Sequence, residues 1–377
     1  MDPTAMAGFK SDQVAALDPT AMAGFDATKM AAMDPTAMAG FKADQMAALD
    51  TTSVAALDST KVSNLAADAM AGFDNLKLNA LDPTAVAGMR ADQVAGLKAD
   101  AMSGFSRDQM TALAPTAVAG FKSDQVAALD PTAMAGFKAD QVAAMDPTAM
   151  GGFKQTQIAA FDPNAVAGFK SDQVAAFDPN AVAGFKSDQV AAFDPNAVAG
   201  FKPDQVAAFD PNAVAGFKPD QVAALDPNAV AGFKPTQVAA LDPDAMTGVK
   251  QDQMKNFSKD AVGGLTNDQF TKLPDDALKG LTKDNLGGLG TDVVKNFDDT
   301  TIAKLDPNEV KSLAGDDFSK LMTNVDPTKV SADAVDDLLP TGWELDKATG
   351  DLKAPPGAPL SFKTIDKDAA TNINDTS

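Results

Sequence analysis

The amino-acid sequence predicts an all-α solenoid built from very short helices, with a β-solenoid of eight-residue turns as the alternative. The chain repeats an eight-residue unit, which we name the octad, in an unbroken frame from Asp2 to Leu321. The eighth position is apolar in all 40 octads, and so is the fifth position. A frame kept over that length indicates that each octad is one structural step stacked on its neighbours.

Two kinds of octad alternate along the chain. D octads typically read DPxAVAGF, and K octads typically read KxDQVAAL or KPDQVAAF. The recurrent proline rules out a continuous helix, and the apolar spacing lacks the two-residue period of a strand. In a D octad, Asp162 suits a helix N-cap and Pro163 suits the first helical turn. Gly168, at position 7, is expected to end the helix in a left-handed conformation.

The alternation predicts a coil of 16 residues, made of one D octad and one K octad as two antiparallel short helices. The 40 octads would then form an elongated rod. Positions 5 and 8 would fill the core. Positions 6 and 7 would face solvent, because the later octads carry Lys255-Asn256 and Thr271-Lys272 there.

Changes in regularity divide the chain into three predicted segments. These segments are the octad solenoid at 1–321 (most regular at 130–241 and diverged at 242–321), a C-terminal cap at 322–345, and a tail at 346–377. The cap contains the single tryptophan, Trp343, which we expect to cover the last coil. The tail is rich in proline, glycine and polar residues, and we expect its end to be disordered.

The composition argues against an enzyme. The chain has no His, Cys or Tyr, which removes the commonest general base, the usual transition-metal ligands and thiol chemistry. We therefore expect no catalytic, cofactor-binding or metal-binding residue and no cofactor. The net charge of −21 disfavours nucleic acid and anionic membranes as partners. No apolar run is long enough to span a membrane.

The aspartates at position 1 are the most repeated polar groups. They could form a row of weak calcium sites, because calcium binds oxygen ligands. We favour the alternative in which each carboxylate caps its own helix, since the DxDxDG loop and the nonapeptide GGxGxDxUx are both absent.

The octads KPDQVAAF at Lys202 and KSDQVAAL at Lys122 resemble the tandem octapeptide repeats of large bacterial surface or exported structural proteins. Those repeats are of the LTPEQVAAL type, and many come from cyanobacteria. The segment GWELDKATGDLKAPPGAPL, at 342–360, is similar to tails that follow such arrays. The resemblance implies a structural or surface role, with no catalytic residue to carry over.

We therefore expect a non-enzymatic structural or spacer protein of an extracellular surface layer, a filament or an appendage. The alternatives are a virion component such as a phage fibre, and a solenoid scaffold that binds a protein or a glycan. The start, MDPTAMAGF, lacks the basic and apolar regions of a signal peptide, so a cytoplasmic or virion location stays open. The first coil, around Met6 and Phe9, has no polar cap, which predicts self-association or docking at the N-terminal end.

Overall fold

A computed structural model describes residues 3–347 and 351–355 of the chain. It confirms the predicted all-α solenoid of short helices, because most octads form one helix of four to six residues. In the described residues the only strands are two three-residue strands near the C-terminus, so the β-solenoid alternative is wrong. The chain divides into two compact units, Met1–Gly200 and Phe201–Ser377.

The first unit contains α-helices and 3₁₀-helices joined by segments of two to four residues. Its α-helices are Pro3–Met6, Ser11–Ala15, Ala27–Ala32, Ala43–Ala48, Thr51–Val54, Ser59–Asn64, Asn75–Ala80, Pro83–Val86, Ala91–Gly96, Arg107–Ala112, Pro115–Val118, Ser123–Ala128, Pro131–Met134, Ala139–Ala144, Pro147–Met150, Gln155–Ile158, Pro163–Val166, Ser171–Val174, Pro179–Val182, Ser187–Val190 and Pro195–Val198. Its 3₁₀-helices are Pro19–Gly24, Pro35–Gly40, Ala67–Gly72 and Ala99–Gly104.

The second unit continues the same pattern and then departs from it near the C-terminus. Its α-helices are Pro203–Ala208, Pro211–Val214, Pro219–Ala224, Pro235–Ala240, Gln251–Asn256, Lys259–Val262, Asn267–Lys272, Asp275–Leu278, Thr291–Val294, Asp299–Ile302, Pro307–Lys311, Gly315–Asn324 and Ala332–Asp336. Its 3₁₀-helices are Ala229–Gly232, Pro243–Gly248 and Leu286–Gly288, and its strands are Glu344–Asp346 and Asp351–Lys353.

D octads begin their helices as the sequence predicts. Asp146 is the N-cap of the helix Pro147–Met150, and its Oδ1 accepts a hydrogen bond from the Thr148 amide at 2.8 Å. The proline at the first helical position lacks an N–H, so no hydrogen-bond donor is left unsatisfied there. The cap is needed because four residues are too few to form a stable helix alone.

The core of each unit consists of positions 5 and 8, as predicted, and also of position 4. Position 5 is buried in every octad, from Met6 to Phe318. Position 8 is buried in every octad from the one that ends at Phe25 to the one that ends at Leu321. Position 4 holds a buried alanine in most D octads, such as Ala165, and a buried glutamine in most K octads, such as Gln157. Position 4 was not among the predicted core positions, because about half of its side chains are polar.

Successive coils meet after three octads, which corrects the predicted 16-residue coil. In the first unit, the helix Ser123–Ala128 packs against Ala99–Gly104 and Pro147–Met150, which begin 24 residues before and after it. In the second unit, Pro219–Ala224 packs on Pro243–Gly248 at the same spacing. Because three is odd, a D octad packs against K octads in the neighbouring coils.

The glycine at position 7 of the D octads has a different role from the one predicted. None of these glycines has a positive φ; in the described residues only Gly342 does. A Cβ added at Gly168 would instead lie 2.6 Å from the carbonyl carbon of Ala139 in the neighbouring coil. Glycine therefore allows two backbones to approach each other, and position 7 of these octads does not face open solvent. Lys255-Asn256 and Thr271-Lys272 are exposed, as expected.

The C-terminal part of the second unit covers its last octads with an aromatic residue. The Trp343 ring packs edge-on against Phe318, with ring centroids 5.0 Å apart. The two strands then pair antiparallel, with Leu345 opposite Leu352. This hairpin starts in the predicted cap and ends in the predicted tail. The predicted disordered end, at 367–377, lies outside the described residues.

Candidate functional site

The position-4 glutamines of the K octads connect neighbouring coils through the core. The Gln157 side chain is 1% exposed, and its Nε2 donates to the Val126 carbonyl at 2.7 Å and the Leu129 carbonyl at 2.8 Å. Its Oε1 accepts from the Lys154 amide, at the start of its own helix, at 2.8 Å. One amide group therefore satisfies three backbone groups in two coils. This matters because an unpaired buried backbone group is costly.

The same bonds recur along both units, always to carbonyls 31 and 28 residues earlier in the chain. We refer to the following residues as the glutamine ladder: Gln45, Gln93, Gln109, Gln125, Gln141, Gln157, Gln173, Gln189, Gln237, Gln253, Gln269 and, as its shorter homologue, Asn285. This role was not predicted from the sequence, although the alternation of Ala and Gln at position 4 in most octads was its signal.

The predicted row of aspartates consists of helix caps. Asp130 Oδ1 accepts from both the amide (2.8 Å) and the hydroxyl (2.7 Å) of Thr132. The bond from the Thr132 hydroxyl, followed by that from the amide, lowers the pKa of Asp130 below its ordinary 3.8. In the described residues, no three Asp or Glu side chains lie close enough together to bind a metal ion.

Two further findings concern partners. In the described part of the chain, no helix has both the length and the apolar character needed to cross a lipid bilayer. Met6 is buried in the first unit, and Phe9 is half-buried. Self-association through this end stays a prediction.

The diverged octads of the second unit contain a cleft of about 790 Å³. It lies between octad 266–273 and octad 290–297, which are neighbours in successive coils. Its lining residues are Gly263, Leu265, Thr266, Asn267, Asp268, Gly290, Thr291, Asp292, Lys295 and Asn296. A smaller cavity of about 180 Å³ shares Asn267 and Asn296, and Phe270, Leu273, Leu278, Val293 and Phe297 supply its apolar wall.

The cleft lies where the close approach of two coils is lost. Octad 290–297 stands in the place of a D octad in the alternation, but its position 7 is Asn296 and not glycine. At the same position in two earlier octads, Gly264 and Gly280 lie against backbone of the preceding coil. Asn296 instead reaches that coil with its side chain, and its Nδ2 donates to Asn267 Oδ1 at 2.9 Å. The cleft is thus a consequence of replacing glycine by a larger side chain.

The charges around the cleft are largely paired. Lys295 forms an ion pair with Asp292 of the same octad. Lys304, in the wall of the smaller cavity, pairs with Asp275 at 2.9 Å. Asp268 is exposed and forms no ion pair within the described residues. The lining therefore combines hydroxyl, amide and carboxylate groups without a cluster of like charges.

Comparison with known proteins adds no identity, since no protein-family model matches the sequence and no curated protein matches it.

Proposed function

We propose that the protein is a non-enzymatic structural spacer of an extracellular surface layer, a filament or an appendage. The observation that carries the proposal is the glutamine ladder, which repeats one set of coil-to-coil hydrogen bonds through both units. A spacer needs a length set by the number of repeats, and repeats that contact only their neighbours provide it.

The surface supports the same proposal. The net charge of −21 makes copies of the chain repel one another along their sides at low salt. The repeated polar groups at the helix starts are used in caps, such as Asp146 with Thr148, and this leaves them a structural role. A structural component whose repeated polar groups serve as helix caps is consistent with these features.

Electron microscopy of the native source, with gold-labelled antibody against the chain, tests both the role and the location. We expect label on a regular surface layer, filament or appendage outside the cell. A variant with one additional copy of residues 162–177 should lengthen the labelled structure by a constant increment, and a variant with two additional copies by twice that increment. Label confined to the cytoplasm would contradict the proposed location, and label on virus particles would favour the virion alternative. Unchanged dimensions in the longer variants would contradict a spacer.

A binding scaffold is the second candidate, and the cleft between octads 266–273 and 290–297 is the observation that favours it. The two roles are compatible, because the cleft lies in the diverged octads and the regular octads before it could still serve as a spacer.

A further inference from the structure

We propose that the cleft between octads 266–273 and 290–297 binds a neutral saccharide, through one or two pyranose rings. The cleft volume of about 790 Å³ lies in the range of small-ligand sites. The proposal concerns the diverged octads alone and does not depend on the spacer role.

The polar lining offers hydrogen-bonding groups that the described residues leave available. Asn267 uses its Oδ1 to accept from Asn296, and its amide nitrogen donates to no described protein group. The Asp268 carboxylate and the Thr291 hydroxyl likewise have no hydrogen bond to the described residues. A carboxylate accepts, an amide nitrogen donates, and a hydroxyl does both. Vicinal sugar hydroxyls, each a donor and an acceptor, complement this combination.

The apolar part of the cleft is small. Phe270 and Phe297 stack on each other in the wall of the smaller cavity, with centroids 5.4 Å apart, and they are only 6% and 1% exposed, so they support the wall and do not line the cleft itself. Leu265 lines the larger cleft and is 7% exposed. A limited apolar surface beside polar groups is the arrangement expected of an orienting pocket. It is too small to bind a wholly apolar ligand strongly.

The charges favour a neutral ligand over a charged one. An anionic ligand would meet the net charge of −21 and would have to displace Lys295 or Lys304 from its aspartate partner. A cationic peptide would find a single unpaired carboxylate, Asp268, in the lining. A neutral polyhydroxylated ring meets neither obstacle.

The test uses the full chain and four probes, the methyl glycosides of glucose, galactose, mannose and N-acetylglucosamine. Saturation-transfer NMR detects binding, and titration calorimetry measures the affinity. We expect saturable binding of at least one glycoside. Asp268→Ala should weaken that binding about tenfold or more, because it removes a hydrogen bond to a charged acceptor. The matched control is Asp252→Ala, at the same octad position outside the cleft, and it should bind like the unmodified chain.

A second variant blocks the cleft without altering its polar groups. A Cβ added at Gly290 would meet only the Gly263 carbonyl oxygen, at 3.8 Å, so Gly290→Leu should fold and fill the opening. Its control is Gly315→Leu, where a Cβ has no neighbour within 4 Å. Thermal melts confirm that all four variants are folded. The proposal is overturned if no glycoside binds saturably, or if binding survives both Asp268→Ala and Gly290→Leu. Binding of a tetralysine peptide with no glycoside bound would overturn it in favour of a peptide site.

Discussion

Replacing Gln157 by leucine should destabilise the first unit much more than replacing Gln155 by leucine. Both residues belong to the octad 154–161, both are glutamines, and the substitution is the same. Gln157 is buried and makes three hydrogen bonds to backbone groups of two coils. Gln155 is exposed, and its side chain makes one long bond, 3.4 Å, to the Ala183 carbonyl.

The structure gives the size of the effect. The Val126 carbonyl also accepts from the Leu129 amide at 3.2 Å, so it keeps a partner when Gln157 is lost. The Leu129 carbonyl and the Lys154 amide lose their bonds to the side chain. One buried unsatisfied group costs about 1–3 kcal/mol, and the Lys154 amide is only partly buried, so the total should be about 2–5 kcal/mol. Gln155→Leu should change the free energy of unfolding by less than about 0.5 kcal/mol.

Urea unfolding followed by circular dichroism, with the full chain and both variants, measures this difference. We expect a lower midpoint for Gln157→Leu and an unchanged midpoint for Gln155→Leu. Equal midpoints in the two variants would refute the reasoning, because they would show that the glutamine ladder adds nothing to the contacts of positions 5 and 8.

Three other predictions follow from the packing of the coils and the caps. Gly168→Ala should destabilise the chain by about 1–3 kcal/mol, because the added methyl group overpacks against backbone, whereas Gly151→Ala should be neutral or slightly stabilising, since its Cβ meets only a carbonyl oxygen at 3.8 Å. An equal fall in the urea midpoints of Gly168→Ala and Gly151→Ala would contradict the role of Gly168 in the close approach of two backbones. Deleting 162–177 should leave the midpoint nearly unchanged, because an identical copy follows it. Deleting only 170–177 should lower the midpoint strongly, because it brings octads of the same kind into contact. The hydroxyl of Thr148, followed by its amide, lowers the pKa of Asp146 below the ordinary 3.8. The stabilisation by this carboxylate is therefore complete above 3.8 and is lost as the pH falls through the lowered value. Thr148→Val should reduce that loss in a pH series of urea midpoints, and an unchanged pH dependence would argue against the cap.

Several features of the fold follow from the sequence alone, because they depend on chemistry within a single octad. The order seen in Asp146-Pro147 marks a helix start in most octads that contain it, since the cap bond and the proline act over two or three residues. Positions 5 and 8 are apolar in every octad and identified the core, although position 8, such as Leu129, follows the helix in extended backbone. The absence of His and Cys likewise removed histidine bases and thiol chemistry, and this conclusion required no knowledge of the fold.

Other features were decided by tertiary structure, because they depend on the angle at which one octad follows the next. That angle closes a coil after three octads, although the sequence repeats every two. The odd number places Gly168 on the backbone of Ala139, and Asn296 opposite Asn267 where the cleft opens. The same closure brings Gln157 beneath two carbonyls of the K octad that lies four octads earlier. The sequence specifies each octad through local caps and apolar positions, whereas the partner of each octad is set by the closure of the coil, a property that no single octad contains.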